Sequence, residues 1–125
     1  MDDFYYRKLK VYHLSQQLVK DVYLLMDCFP AKERTALTNQ LQRAVISVPS
    51  NIAEGMGRFS VKERIHFLEI SYGSLSEVMC QLEIAESLNY ISSEILKKQE
   101  QNIKGIARML IGLRNALNEK AIKFD

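Results

Sequence analysis

The chain is poor in the residues that interrupt regular structure. Its 125 residues include only two prolines and five glycines, too few for a protein built from many strands and tight turns. Tryptophan is absent, and no apolar run approaches the roughly 18 residues of a membrane-spanning helix. The start, MDDFYYRKLK, is acidic and then basic, without the apolar segment of a secretory signal. We therefore expect a cytoplasmic protein that does not enter a membrane.

Cysteine is also scarce. Cys28 and Cys80 lie far apart in apolar helical surroundings, which favours two buried free thiols over a disulfide or a reactive site. Hydrophobic residues make up 47% and charged residues 26%, as in ordinary folded proteins. The length predicts one domain over residues 1–125, with a core that needs neither a disulfide nor a metal.

Charge is nearly balanced overall but unevenly distributed. The formal net charge is +2, with +2 on residues 30–59, −3 on residues 60–90 and +3 on residues 91–125. Unlike charges on successive segments favour antiparallel neighbours, charged faces that meet in an oligomer, or a basic stripe that binds a polyanion. Ordinary solvated faces are the simplest explanation.

Apolar residues recur at steps of three and four in four segments, and no segment alternates as a strand does. In the third segment this stripe comprises Val61, Ile65, Leu68, Tyr72, Leu75, Met79 and Leu82. The predicted helices cover about residues 8–28, 32–56, 60–88 and 93–118. Helices of this length joined by short loops predict an all-α fold, an antiparallel up-down-up-down four-helix bundle.

Local signals mark the helix ends. Pro30 stops the first helix, because the residue before a proline leaves the α region. Ser60 with Glu63 forms a capping box for the third helix, and Asn89 suits a left-handed stop after it. The polar residues after Leu117 are expected to fray.

The unusual stretch SVPSNIAEGMGRFS begins within the second helix and extends through its end to Ser60. Because Pro49 has no N–H, the carbonyl of Val45 loses its helical partner, and we expect a bend there. Residues of this stretch that predict a kink or a close helix approach are Ser47, Pro49, Ser50, Ala53, Gly55 and Gly57. Polar side chains of this helix and of the turn after it form a candidate ligand site, comprising Arg43, Asn51, Glu54 and Arg58. A bent, closely packed helix is the alternative and explains most of the pattern.

No set of side chains specifies a reaction. Glu63 and His66 form one Glu-x-x-His pair of the kind that binds di-iron, but a second pair is missing. No phosphate-binding loop or nucleophile signature occurs either. We therefore predict no catalytic residue, no metal, no other cofactor and no small-molecule substrate.

Nucleic-acid binding is a further hypothesis. Its candidate contacts are basic side chains of the second and fourth helices, namely Arg43, Arg58, Lys97, Lys104, Arg108 and Arg114. The aromatic and basic segment at residues 4–10 could stack on a single strand, or could dock as a tail on a neighbouring helix.

The segment LTNQLQRAVISVPSNIAEGMGR, followed by GSLSE and QL, resembles a known family. Its members are small four-helix bundles encoded by intervening sequences within bacterial 23S ribosomal RNA genes, often called S23-type ribosomal proteins. The resemblance extends over nearly the whole chain and implies a ring-like homo-pentamer. It also implies kinship with accessory proteins of diversity-generating retroelements, which are similar bundles that bind a reverse transcriptase and nucleic acid.

We therefore expect a non-catalytic homo-oligomeric module whose main partner is itself. The alternative is an accessory protein that binds RNA, or a nucleic-acid enzyme, through the basic faces of helices two and four.

Overall fold

A computed structural model describes the backbone of residues 3–124 and the side chains of residues 3–119. Its four α-helices are α1 (Lys10–Met26), α2 (Leu37–Met56), α3 (Val61–Ser87) and α4 (Ser93–Phe124). Short 3₁₀ helices at Tyr5–Lys8 and Ala31–Glu33 precede α1 and α2. No β-strand occurs within residues 3–124, so the predicted all-α class is confirmed.

Each helix packs against its neighbours in the chain, and α1 closes the bundle against α4. The contact between α2 and α3 is the most extensive of these. Hydrogen bonds join Ser47 to Ser74 and Val48 to Ser71, so the two helices run in opposite directions. The short connections impose the same reversal at each step, which gives the predicted four-helix bundle.

One apolar cluster fills the space between the helices. Side chains without any exposed surface come from α1, α2 and α3, for example Val22, Leu41, Ile52 and Val78. Ile106 and Leu110 contribute from α4. Removing a leucine-sized side chain from water contributes about 1.5–3 kcal/mol, so this cluster supplies the main driving force for folding.

Two predicted helix boundaries were wrong. Helix α2 begins at Leu37 rather than at residue 32, because Ala31–Glu33 forms a separate 3₁₀ helix and Ala36 has non-helical angles (φ −127°, ψ −104°). The backbone of α4 remains helical to Phe124, beyond the predicted end at residue 118.

Of the two predicted end signals, the left-handed stop is confirmed, and the capping box is formed in one of its two bonds, since no bond from the Ser60 N–H to the Glu63 carboxylate occurs among the described residues. The Ser60 hydroxyl accepts a hydrogen bond from the Glu63 N–H at 3.1 Å, at the start of α3. After α3, Asn89 takes a positive φ of 63°. Its N–H donates to the Glu86 carbonyl at 2.9 Å, and the next N–H donates to the Ala85 carbonyl at 2.8 Å. This pair of bonds is the Schellman motif that satisfies the last carbonyls of a helix.

The buried face of α3 differs from the predicted stripe. It is turned toward α2 and includes the polar side chains of Ser71, Ser74 and Gln81, while Tyr72 remains 40% exposed. Among the described side chains, Gln81 Oε1 is buried without a hydrogen-bond partner.

The prediction for the cysteines was partly wrong. Both thiols are free, as expected, but both are exposed. Cys28 lies in the turn after α1, and Cys80 lies on the outward side of α3.

Candidate interaction surfaces

A series of side-chain hydrogen bonds, called here the α2–α3 seam, joins the two helices next to the proline. Ser71 Oγ donates to the Val48 carbonyl at 2.8 Å, and the hydroxyls of Ser47 and Ser74 are 2.7 Å apart. Asn51 Nδ2 donates to both the carbonyl and the hydroxyl of Ser47, at 2.8 Å each. Side chains therefore bond to the backbone around the proline, at the Ser47 and Val48 carbonyls.

Helix α2 continues through Pro49, which is buried. Six residues further on, Gly55 allows α3 to approach closely. A Cβ atom there would come within 3.0 Å of Phe67 Cβ and 3.2 Å of the Arg64 carbonyl oxygen. Gly57 has no such role, because its φ is −85° and a Cβ would meet nothing closer than 3.5 Å.

The small residues of α2 therefore serve two different faces. Ser47 and Gly55 lie against α3. In contrast, Ser50 and Ala53 line a shallow groove between α1 and α2, beside Pro49. The small residues predicted to mark a kink or a close helix approach therefore do not form a single packing surface.

The predicted polar set of Arg43, Asn51, Glu54 and Arg58 does not converge on one point. Arg43 Nε donates to Asn39 Oδ1 at 3.3 Å, and Arg58 forms an ion pair with Glu54 at 3.4 Å. The Arg58 guanidinium also lies 4.7 Å from the centre of the Phe67 ring. Asn51 belongs to the α2–α3 seam. Exposed pairs between residues four apart contribute only about 0.3–0.5 kcal/mol, so these contacts do not build a ligand site.

The candidate nucleic-acid contacts also separate. Lys97, Lys104 and Arg108 share the outward side of α4, because they are seven and four residues apart. Arg114 lies on another side of α4, where its Nε contacts Glu69 Oε1 of α3 at 3.4 Å. Arg43 lies on α2 and Arg58 lies just after its end, each with the partners described above.

The aromatic segment at the start docks on its own chain. The Tyr6 ring packs edge-on against Tyr12, with centroids 4.8 Å apart, and also contacts the core. Phe4 and Tyr5 are about half exposed and lie beside the end of α2, near Gly57. This is the docked-tail alternative of the two predicted for the segment.

An open groove of about 410 Å³ runs between α3 and α4. Leu68 and Leu110 form its floor, and Tyr72 and Ile111 form its walls. The contact between Glu69 and Arg114 spans its edge.

Helix α3 also carries a second, partly apolar series, called here the outer α3 stripe, which was not predicted from the sequence. Its members recur at steps of three and four and are all exposed: His66, Ile70, Gly73, Glu77, Cys80, Ile84 and Leu88. The exposed fractions of Ile70, Ile84 and Leu88 are 38%, 42% and 47%. The same periodicity that marked the buried stripe could have revealed it.

The described part of the chain offers neither a metal-binding cluster nor a helix that could span a membrane. Within the described part of the chain, no three His, Cys, Asp or Glu side chains are grouped closely enough to hold a metal ion. No helix among these residues is both long and apolar enough to span a bilayer.

Comparison with known proteins adds a family and a shared fold. The family model described as 23S rRNA-intervening sequence protein matches residues 7–112. Among solved structures, the chain is similar to a protein of unknown function from the S23 ribosomal protein family of Bacteroides thetaiotaomicron. The TM-score is 0.74 at 23% identity, over 83% of this chain and 97% of that one. A search of the curated proteins found no match.

Proposed function

The chain belongs to the family of 23S rRNA-intervening sequence proteins, and we propose that it is a non-catalytic module that assembles with copies of itself. The outer α3 stripe carries this proposal. Helix α3 already buries one side in the bundle, yet it also presents Ile70, Ile84 and Leu88 to solvent beside that buried side. Apolar residues at steps of three and four form the seam by which two helices pack, so the stripe suits a second helix.

The energetics favour burial of the stripe. Each square ångström of apolar surface removed from water contributes about 25 cal/mol, and several half-exposed aliphatic side chains lie in one row. Gly73 sits in the middle of this row, and a Cβ there would meet nothing within 4 Å. A helical glycine costs up to about 1 kcal/mol relative to alanine. The fold of one chain does not require that glycine, whereas close approach by a partner helix would use it.

A ring of five copies is the assembly that the family resemblance implies, and we adopt it as the expected size. Size-exclusion chromatography with light scattering tests self-assembly directly. At micromolar concentration the mass should be a multiple of the 14.4 kDa chain, and five times that mass for a pentamer. Ile84→Lys should lower the mass, because it places a charge in the row. A strict monomer would contradict the proposal.

RNA binding is the second candidate function, supported by the three basic side chains on the outward side of α4. Arg108 forms no ion pair with any described residue, so its charge is available. Fluorescence anisotropy with a labelled single-stranded RNA should show affinity at low salt that falls steeply as salt rises, because counterions are released. No affinity at low salt would eliminate this candidate. A nucleic-acid enzyme as partner would be found by co-purification from cells.

A further inference from the structure

We propose that the outer α3 stripe of one copy packs against the outward basic side of α4 in the next copy, with Glu77 between Lys104 and Arg108. This inference rests on the proposed self-assembly and names the two surfaces that form it.

Charge favours α4 as the occupant of the stripe. Glu77 is exposed and forms no ion pair with any described residue. The segment that contains α3 carries −3, and the segment that contains α4 carries +3. Lys104 is already 3.0 Å from Glu100, but that pair is exposed and weak, so Lys104 can contact a second carboxylate as well.

Symmetry argues against pairing the stripe with itself. The stripe extends from His66 to Leu88, and Glu77 is its midpoint. An antiparallel contact around a two-fold axis would therefore place the two Glu77 side chains opposite each other. Like charges at such a contact are unfavourable, so a heterologous contact between two different surfaces is favoured.

The register is based on Glu69 and Arg114, whose side chains are in contact within one chain and line one groove together with Tyr72 and Leu110, so their levels on α3 and α4 are taken as approximately equal. Rotation about an axis parallel to the helices does not shift a copy along that axis, so the same heights meet between copies. On α3, Glu77 lies eight residues after Glu69. Because α4 runs in the opposite direction, the same level on α4 is eight residues before Arg114, midway between Lys104 and Arg108. Opposite charges thus coincide in height.

Apolar contacts coincide in the same register. Ile70 comes within about 3 Å of the height of Ile111, at a rise of about 1.5 Å per residue. Ile111 is itself 44% exposed. Ile84 similarly comes level with the region of Lys97, whose aliphatic stem can cover an apolar side chain while its ammonium group stays in water.

The geometry also allows a closed assembly. Helices α3 and α4 occupy neighbouring corners of the bundle, so their outward sides diverge by about a right angle. Docking one side on the other turns each successive copy by a similar angle, and a repeated turn of that size closes into a small ring.

Charge reversal tests the pairing. Glu77→Arg should shift the light-scattering mass from the assembled value to the 14.4 kDa monomer. The matched control is Glu83→Arg, which makes the same charge change at an exposed residue of α3 outside the stripe and should remain assembled. Combining Glu77→Arg with Lys104→Glu and Arg108→Glu should restore the assembled mass. Far-UV circular dichroism should show unchanged helix content for every variant used.

The outcomes separate the two proposals. A wild-type monomer would overturn both self-assembly and this interface. If the wild type is an oligomer and the Glu77→Arg variant remains as fully assembled as the Glu83→Arg control, only this interface is overturned. Dissociation of Glu77→Arg without recovery in the triple variant would remove α4 as the occupant.

Disulfide trapping tests the register independently. In a background with Cys28→Ser and Cys80→Ser, Ile70→Cys with Ile111→Cys should give intermolecular disulfides on mild oxidation, because two cysteines link only when their Cα atoms are within about 7 Å. Ile84→Cys with Ile111→Cys is out of register and should remain monomeric on a denaturing gel. The reverse result would overturn the proposed register.

Discussion

The Tyr90 hydroxyl donates a hydrogen bond to Glu33 Oε2 at 2.7 Å, across a sequence separation of 57 residues. The other oxygen of this carboxylate accepts the Leu37 N–H at 3.3 Å, at the start of α2. The Tyr90 ring also packs against Phe29, with centroids 5.5 Å apart. One carboxylate thus caps a helix and ties the α3–α4 connection to the α1–α2 connection.

Removing the Tyr90 hydroxyl should destabilise the protein. Tyr90→Phe keeps the ring against Phe29 but leaves Glu33 with one bond fewer, so we expect the melting temperature to fall by a few degrees. Tyr72→Phe is the control, because no hydrogen bond of its hydroxyl occurs among the described residues. Equal melting temperatures for the two variants would contradict the role of the bond.

The same bond makes stability depend on alkaline pH. The hydrogen bond to Glu33, then burial and the nearby negative charge, raise the pKa of Tyr90 above its ordinary value of 10.0. A group whose pKa is raised by folding stabilises the folded state below its unfolded pKa, and this contribution is lost as the pH rises through the folded pKa. Urea unfolding between about pH 9 and 11.5 should therefore show a steeper loss of stability in the wild type than in Tyr90→Phe. If the stability of the two proteins falls in parallel with pH, the proposed contribution of Tyr90 is contradicted.

Gly55 and Gly112 should respond oppositely to alanine. At Gly55 the added methyl group meets Phe67 and the Arg64 carbonyl, so we expect a loss of about 1–3 kcal/mol from overpacking. At Gly112 nothing lies within 4 Å, so the higher helix propensity of alanine should add up to about 1 kcal/mol. Chemical denaturation at equal protein concentration measures both changes. A stabilising Gly55→Ala would refute the close approach of α3.

Ser71 should matter more than an exposed serine of the same helix. Its hydroxyl is buried and donates to the Val48 carbonyl, so Ser71→Ala should cost about 1 kcal/mol in the free energy of unfolding. Ser76 also donates to a carbonyl, that of Tyr72, but is exposed, and Ser76→Ala should be nearly neutral. The denaturation midpoints of the two variants test this prediction, provided that the dependence of the unfolding free energy on denaturant concentration is unchanged.

The helices could be predicted because their signals are local. Ser60 and Asn89 act through bonds to residues within a few positions, and the sequence contains both partners. The start of α2 could not be predicted in the same way, since Glu33 is held by Leu37 and by the distant Tyr90. Tertiary contacts therefore decided the boundary that local patterns misplaced.

The buried face of α3 was misassigned because its polar members carry no apolar signal. Ser71 and Ser74 are buried through hydrogen bonds with α2, which periodicity of apolar residues does not detect. The four candidate polar side chains of α2 and the turn after it do not come together, for a different reason. Arg43 and Glu54 do share a side of α2, but eleven residues separate them by about 16 Å, and each forms its contacts with a residue four positions away.

The α2–α3 seam has a consequence for how the molecule opens. Sliding α2 by one turn along α3 would part Ser47 from Ser74 and Val48 from Ser71, and would force Gly55 out of its fitted position against Phe67. The hairpin formed by these two helices should therefore open as one cooperative unit. In native-state hydrogen exchange, the central amides of α2 and α3 should be the last to acquire deuterium, while α1 exchanges earlier.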